Sequence, residues 1–187
     1  MVKLDKIYTR GGDGGETSLG DGSRVAKHSL RVHAQGDIDE ANATIGLARR
    51  FANPEDTDSV LSRIQNDLFD LGADVTRPGA DPGDGSLRIQ PAQVERLEAE
   101  IDEANENLEP LRSFVLRGGT DFAASLHLAC TVCRRAERML SALAAEEPIN
   151  PHGLKYINRL SDLLFVMARA ANDGGNADVL WKPGQNT

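Results

Sequence analysis

The chain has 187 residues, of which 40% are hydrophobic and only 4% aromatic, and it carries a formal net charge of −8 with a pI near 5.0. That balance excludes non-specific attraction to nucleic acid or to anionic membrane, so any bound anion must be held by locally gathered cations. Leu163–Ala168, the most apolar run, is far too short to span a bilayer, and MVKLDKIYTRGGDGG has no apolar h-region of a signal peptide. Two cysteines three residues apart make no disulfide framework. The expectation is one cytoplasmic, mostly helical domain over residues 1–187, since Ala and Leu dominate.

Residues 1–29 stand apart. KIYTRGGDGGETSLGDGSRVAK holds six glycines among hydroxyl and basic residues and shows little helical periodicity. A Gly-rich terminus is by default a flexible arm. Against that default, Ile7, Tyr8, Thr9, Thr17, Ser18 and Lys27 suit backbone nests and hydroxyl donors around phosphate. No GxxxxGK[ST] loop is present. On these residues alone both readings stay open.

The spacing then predicts five helices. The first runs from Arg31 to Phe51, with Ile38, Ala41, Ile45 and Ala48 inward and Asn53-Pro54 closing it. Its early acids Asp37, Asp39 and Glu40 read as dipole partners on a solvated face. The second runs from Glu55 to Val75 on Ile64, Leu68 and Leu71. Residues 77–90, rich in Gly, Pro and Asp, form a surface loop. Pro91 opens the third, marked by Val94, Leu97, Ile101, Ala104 and Leu108 and ended by Pro110. The fourth runs from Thr120, an N-cap after Gly118-Gly119, to Ala145. EEPINPHG makes a turn, and the fifth runs from Gly153 to Asn172. The tail DVLWKPGQNT holds the only Trp and lies over the bundle. The fold class is therefore all-α: an N-terminal arm (1–29), a five-helix bundle (30–175) and a tail (176–187).

The fourth helix carries the strongest chemical signal. A 100° step puts Leu128, Ala129, Val132, Ala136, Met139, Leu140 and Leu143 on one apolar arc. His127, Cys130, Thr131, Arg134, Glu137 and Arg138 fall on another. Arg134, Arg135 and Arg138 around Glu137 form either a solvated ion-pair face or a fork-shaped cradle for a polyphosphate. Cys130-x-x-Cys133 with His127 lies too deep in the helix for a redox motif and lacks the ligands of a zinc site, so core cysteines and a satisfied histidine are expected. Asn158 and Asp162 are uninformative alone. Phe114 and Phe165 read as core unless a cofactor surface lies nearby.

Three segments together resemble one family closely. KIYTRGGDGGETSLGDGSRVAK, SFVLRGGT…LHLACTVCRRAER and YINRLSDLLFVMAR are similar to the ATP:cob(I)alamin adenosyltransferases of the propanediol-utilisation type, the corrinoid adenosyltransferase family. IQNDLFDLGAD and GDIDEANATIG fit the same pattern, so the resemblance spans Lys6 to Pro183. It implies a five-helix bundle that assembles as a homotrimer with active sites between subunits. It implies an ATP loop of Thr9, Arg10, Gly11, Gly12, Asp13, Thr17, Ser18 and Lys27. Arg134, Arg135, Glu137, Arg138 and Asn158 would complete the nucleotide site from the neighbouring subunit, with Mg²⁺ on the triphosphate rather than on protein side chains. Phe114 would lie against the lower face of the corrin with Phe165 near it. Arg134 and Phe114 would be the catalytic pair.

The implied reaction moves the 5′-deoxyadenosyl group of ATP to cob(I)alamin, giving adenosylcobalamin and triphosphate. The alternatives are a non-catalytic module that delivers adenosylcobalamin to a dependent enzyme and a plain helical scaffold. A cob(II)alamin reductase and an adenosylcobalamin-dependent enzyme are the implied partners. Two positions depart from the family. Cys130 stands where an arginine is usual, one that pairs across the interface with an aspartate matching Asp39 in the cobalamin-binding region. Its loss implies weaker cobalamin handling or a looser interface. Arg117 stands where proline is usual, which loosens the constraint on the loop carrying Phe114.

Overall fold

The computed structural model describes residues 6–52, 57–80 and 85–185. Two short strands, β1 (Glu16–Ser18) and β2 (Arg24–Ala26), precede five helices. These are α1 (Leu30–Ala48), α2 (Thr57–Val75), α3 (Pro91–Asn105), α4 (Asp121–Glu146) and α5 (Pro151–Ala170), with a 3-10 turn at Arg49–Phe51 after α1. The all-α five-helix reading holds, with the small hairpin added. α4 is the central element: α1 packs along one side of it and α5 along the other, while α2 lies on α1 and α3 on α5. Ile38, Ile45, Leu68, Leu97, Leu140 and Leu160 are among the side chains that meet in the interior.

Being covered from two sides widens the buried arc of α4, and this corrects the two-face sorting. His127 and Cys130, assigned to the polar stripe, are fully buried, whereas Leu128 from the apolar arc is 47% exposed. Cys130 and Cys133 are core residues as expected, and both are free.

Polar groups inside the bundle are matched to partners, as burial requires. Asp67 accepts from Tyr156 Oη at 3.0 Å, Arg96 at 2.8 Å and Gln93 at 3.0 Å. Asp74 accepts from Arg88 at 2.6 Å, the Ile89 amide at 2.8 Å and Asn150 at 2.7 Å. This second cluster corrects the surface-loop reading of 77–90, because it draws Ile89 into the core at 1% exposure. It also seats the cap of α5: Asn150 Oδ1 accepts from the His152 amide at 3.0 Å. Pro151 therefore belongs to the first turn of α5, where no amide is needed, rather than to the preceding turn. α3 ends at Asn105 and α5 at Ala170, each slightly short of the expected end. The expected stop at Asn53-Pro54 and start at Glu55 lie outside the described residues.

The N-terminal segment, within its described part, is a folded hairpin and not a free arm. Thr17 pairs with Val25 in an antiparallel register, and Leu19 is buried. The Gly20 amide donates to the Thr76 carbonyl at 2.9 Å, tying the hairpin to the C-terminal end of α2. Arg24 reaches back to the Gly11 carbonyl at 2.7 Å and to Ser18 Oγ at 3.3 Å.

Candidate functional site

The segment before α4 is held by the C-terminal tail. The Leu116 amide donates to the Val179 carbonyl at 2.7 Å, the Trp181 amide donates to the Phe114 carbonyl at 2.8 Å, and Val115 bridges antiparallel to Leu180. Ser113 Oγ donates to the Trp181 carbonyl at 2.9 Å. The tail is fastened in turn by Asp178, whose carboxylate meets Arg169 of α5 at 2.9 Å in a pair almost wholly out of water. At the start of α4, Thr120 caps the Ala123 amide at 3.1 Å, and Asn172 ties the surrounding backbone together. Asn172 is fully buried; it accepts from the Thr120 amide at 3.1 Å and donates to the Gly118 carbonyl and to Asp178, both at 3.2 Å. Gly119 must be glycine on two counts: its φ is 110°, and a Cβ there would overlap the Asn172 side chain.

This scaffold frames a cavity of about 520 Å³ lined by Leu111, Ser113, Phe114, Val115, Arg117, Arg134 and Phe165. Phe114 is not core. It is 76% exposed although its backbone is fixed on both sides, so an aromatic ring is held out toward whatever enters. Phe165 is half-buried deeper in the wall, its ring 6.0 Å from that of His127. Arg117 lays its guanidinium 5.3 Å above the Phe165 ring and approaches His127 Nδ1 at 3.3 Å. Arginine can only donate, so Nδ1 is the acceptor and the proton of neutral His127 sits on Nε2. That Nε2 is buried with no partner, so the histidine is half satisfied rather than satisfied. Burial, then the neighbouring Arg117 charge, push the His127 pKa below its usual value, with Asp178 acting weakly the other way. Behind it, Cys130 donates to the Ser161 carbonyl at 3.2 Å, and burial raises its pKa.

The arginine cluster divides. Arg134 faces the cavity, and its nearest carboxylate is Asp162 at 4.0 Å. Arg135 turns the other way and pairs with Asp37 at 3.8 Å and with Glu40 of α1. Arg138 donates to the Arg134 carbonyl at 2.9 Å, one turn back. Glu137 accepts from Asn158 at 2.7 Å, and Asn158 Oδ1 in turn accepts from Arg159, which also holds Glu98 at 2.8 Å. The structure thus brings Phe114, Phe165 and Arg134 to one cavity, joins Glu137 to Asn158 beside it, and engages Arg135 elsewhere.

The remaining expected residues lie apart from this cavity. Thr9, Arg10, Gly11, Gly12 and Asp13 form the turn preceding the hairpin, with Arg10 at φ 61°. Lys27 folds over Gly12, its ammonium 2.8 Å from where a Cβ would stand, and Thr17 and Ser18 lie in β1. The hairpin is fixed at the C-terminal end of α2, near where Arg31 joins Glu147 just past the end of α4. The cavity runs from the segment before α4 to Arg134 at the middle of that helix, which has 26 residues. At 1.5 Å per residue that helix is about 39 Å long. Asp39 lines a different, small hollow of about 70 Å³ with Gln35, Asn42 and Phe69.

Sequence reasoning missed Trp181, Ser113 and the tail pairing. The signal available was the short apolar run Val179-Leu180-Trp181, which matches Phe114-Val115-Leu116 in length and type.

The model of the cobalamin adenosyltransferase family matches residues 7–171. The chain is 49% identical over 191 residues to a corrinoid adenosyltransferase of Mycobacterium leprae, covering 98% of each chain. It is 41% identical over 171 residues to a corrinoid adenosyltransferase of Bacillus subtilis, covering 89% of this chain and 86% of the other. Its structure superposes with a TM-score of 0.88 on a variant PduO-type ATP:corrinoid adenosyltransferase from Lactobacillus reuteri complexed with cobalamin and ATP. That match is at 37% identity and covers 95% of this chain and 97% of that one. The chain belongs to the cobalamin adenosyltransferase family.

Proposed function

We propose that the protein transfers the 5′-deoxyadenosyl group of ATP to cob(I)alamin. In this reaction the reduced cobalt attacks C5′, the bond from C5′ to its bridging oxygen breaks, and triphosphate leaves with the electron pair. The observation that carries the reading is the cavity itself, where an exposed, backbone-fixed Phe114 and the Phe165 ring stand beside the Arg134 guanidinium. Apolar faces suit a corrin ring, and a guanidinium suits the developing charge on a polyphosphate. Cobalt is the nucleophile, so no general base is needed, and the cavity offers none. Catalysis then rests on holding two reactants in line and stabilising the leaving anion. Phe114, placed under the corrin, would keep an axial base away from cobalt and ease its reduction.

The nucleotide's share of the site is assigned to Thr9–Asp13, Thr17, Ser18 and Lys27, together with Arg134, Arg138, Glu137 and Asn158. The hairpin is tied near the C-terminal end of α4, whereas the cavity runs from the segment before α4 to its middle and shares no lining residue with the hairpin, which supports a site completed by a second copy and hence the homotrimer. Asp39, with its own hollow, is assigned to the face a neighbouring subunit covers. Mg²⁺ is assigned to the phosphates of ATP rather than to protein side chains. Among the described residues no helix is long and apolar enough to cross a membrane. Two free buried cysteines suit a reducing, cytoplasmic setting, and the reaction itself calls for a cob(II)alamin reductase before it and an adenosylcobalamin-dependent enzyme after it.

The test is direct. Incubation with cob(I)alamin and Mg-ATP should produce the adenosylcobalamin spectrum with one triphosphate per turnover. Binding of both reactants without any spectral change would remove the catalytic reading and leave delivery of adenosylcobalamin.

A further inference from the structure

Arg117 is a cation without a carboxylate. Among the described residues it forms no ion pair, and its one polar contact is the approach of Nη1 to His127 at 3.3 Å. Of its five N–H groups, four are left for other acceptors. The side chain, though exposed, has two oriented contacts: its guanidinium carbon lies 5.3 Å over the Phe165 ring, and buried, neutral His127 takes one N–H. Its backbone sits between the strand-like segment that pairs with the tail and the Gly119–Asn172 contact. A guanidinium held this way, on the wall of a largely apolar cavity it shares with Phe114, is pre-organised to accept an oxygen from the ligand. Arg134, the other guanidinium of the cavity, has Asp162 within 4.0 Å. Among the described residues Arg117 has no such counter-charge.

We infer that Arg117 is a specificity-determining residue that takes a peripheral oxygen of the corrinoid and favours corrinoids bearing a free carboxylate over those whose side chains are all amides. The inference rests on the corrinoid reading of the cavity. Amide and carboxylate oxygens both accept from a guanidinium, but only the carboxylate supplies the missing charge, and charge-assisted hydrogen bonds are roughly twice as strong as neutral ones.

The test is calorimetric titration of the full-length protein with Mg-ATP present under anaerobic conditions. The ligands are cob(II)alamin and the monocarboxylic acid made by hydrolysing one of its peripheral amides. The wild type should bind at least one monoacid isomer about tenfold more tightly than the all-amide form. Arg117→Leu should erase that preference without changing the melting temperature, and Arg117→Lys should restore part of it. Equal preference in wild type and Arg117→Leu overturns the inference. A Phe114→Ala control separates the two levels: if it weakens corrinoid binding while Arg117→Leu changes nothing, only the role of Arg117 falls. If neither substitution alters binding, the corrinoid reading of the cavity falls with it. A second readout is the His127 ring, followed by NMR in a pH titration. A carboxylate on Arg117 offsets the charge that disfavours protonated His127, so the titration point should move upward with the monoacid relative to the amide. No difference between the two ligands would place the oxygen elsewhere.

Discussion

Trp181 and Phe114 are joined twice: their rings lie 5.9 Å apart at a 56° tilt, and the Trp181 amide donates to the Phe114 carbonyl at 2.8 Å. The residue proposed to face the corrin is therefore positioned by the C-terminal tail. An aromatic pair of this kind contributes about 0.5–1.5 kcal/mol beyond its buried area. Trp181→Ala should lower adenosylation by up to about tenfold, if that energy is spent on holding Phe114 in place. The melting temperature should shift little, because Trp181 is 45% exposed. Steady-state rates with cob(I)alamin, alongside thermal unfolding, check both halves.

Arg134 and Arg135 are adjacent in sequence but differently engaged, and substitution should separate them. Arg134→Ala removes the guanidinium facing the cavity and should cost about a hundredfold or more in turnover, the scale of losing one transition-state donor. Arg135→Ala breaks contacts to Asp37 and Glu40 at a half-exposed site and should cost under about 1 kcal/mol of stability. Its effect on turnover should be far smaller than that of Arg134→Ala. Comparable losses of turnover in the two variants would place both on the nucleotide.

His127 gives stability a defined pH dependence. Its pKa is lowered in the fold, first by burial and then by Arg117. Between the folded value and the ordinary value of about 6.5, the unfolded chain binds the extra proton. The stability this histidine contributes is thus full above about pH 6.5 and is lost as pH falls through the lower, folded value. Denaturant titrations from pH 7.5 downward should show the decline, and His127→Gln should flatten it.

Both thiols should be chemically silent in the native protein. Cys130 and Cys133 are fully buried, and burial raises both pKa values, that of Cys133 very far. An aromatic disulfide reagent at pH 8 should label neither in buffer and both in denaturant. Rapid native labelling would mean that α4 separates from α5.

The bundle was legible because periodicity and caps agree: Thr120 before α4 and Pro91 at the head of α3 fall where the structure begins those helices. Phe114, Phe165 and Arg134 were legible through the resemblance, since composition alone would have buried both rings. Other features were hidden for identifiable reasons. A helix wheel assumes one buried face, and α4 has neighbours on two sides, so His127 and Cys130 were placed on the wrong stripe. The hairpin at 16–26 is only two three-residue strands, whose register comes from long-range ties such as Gly20 to Thr76. The partnership of Ser113–Leu116 with the tail joins residues more than sixty positions apart, which no local pattern encodes.

Asn172 makes the wall of the cavity behave as a single unit. One side chain holds the Thr120 amide, the Gly118 carbonyl and Asp178, and it fills the space that Gly119 leaves empty. The start of α4, the end of α5 and the tail therefore share a common point of failure, and fluctuations that release one release all three. Amide hydrogens at Leu116, Thr120 and Trp181 should then exchange with solvent at similar rates, through one opening event. Access to the cavity becomes an all-or-none property of this hub rather than the sum of independent loop motions.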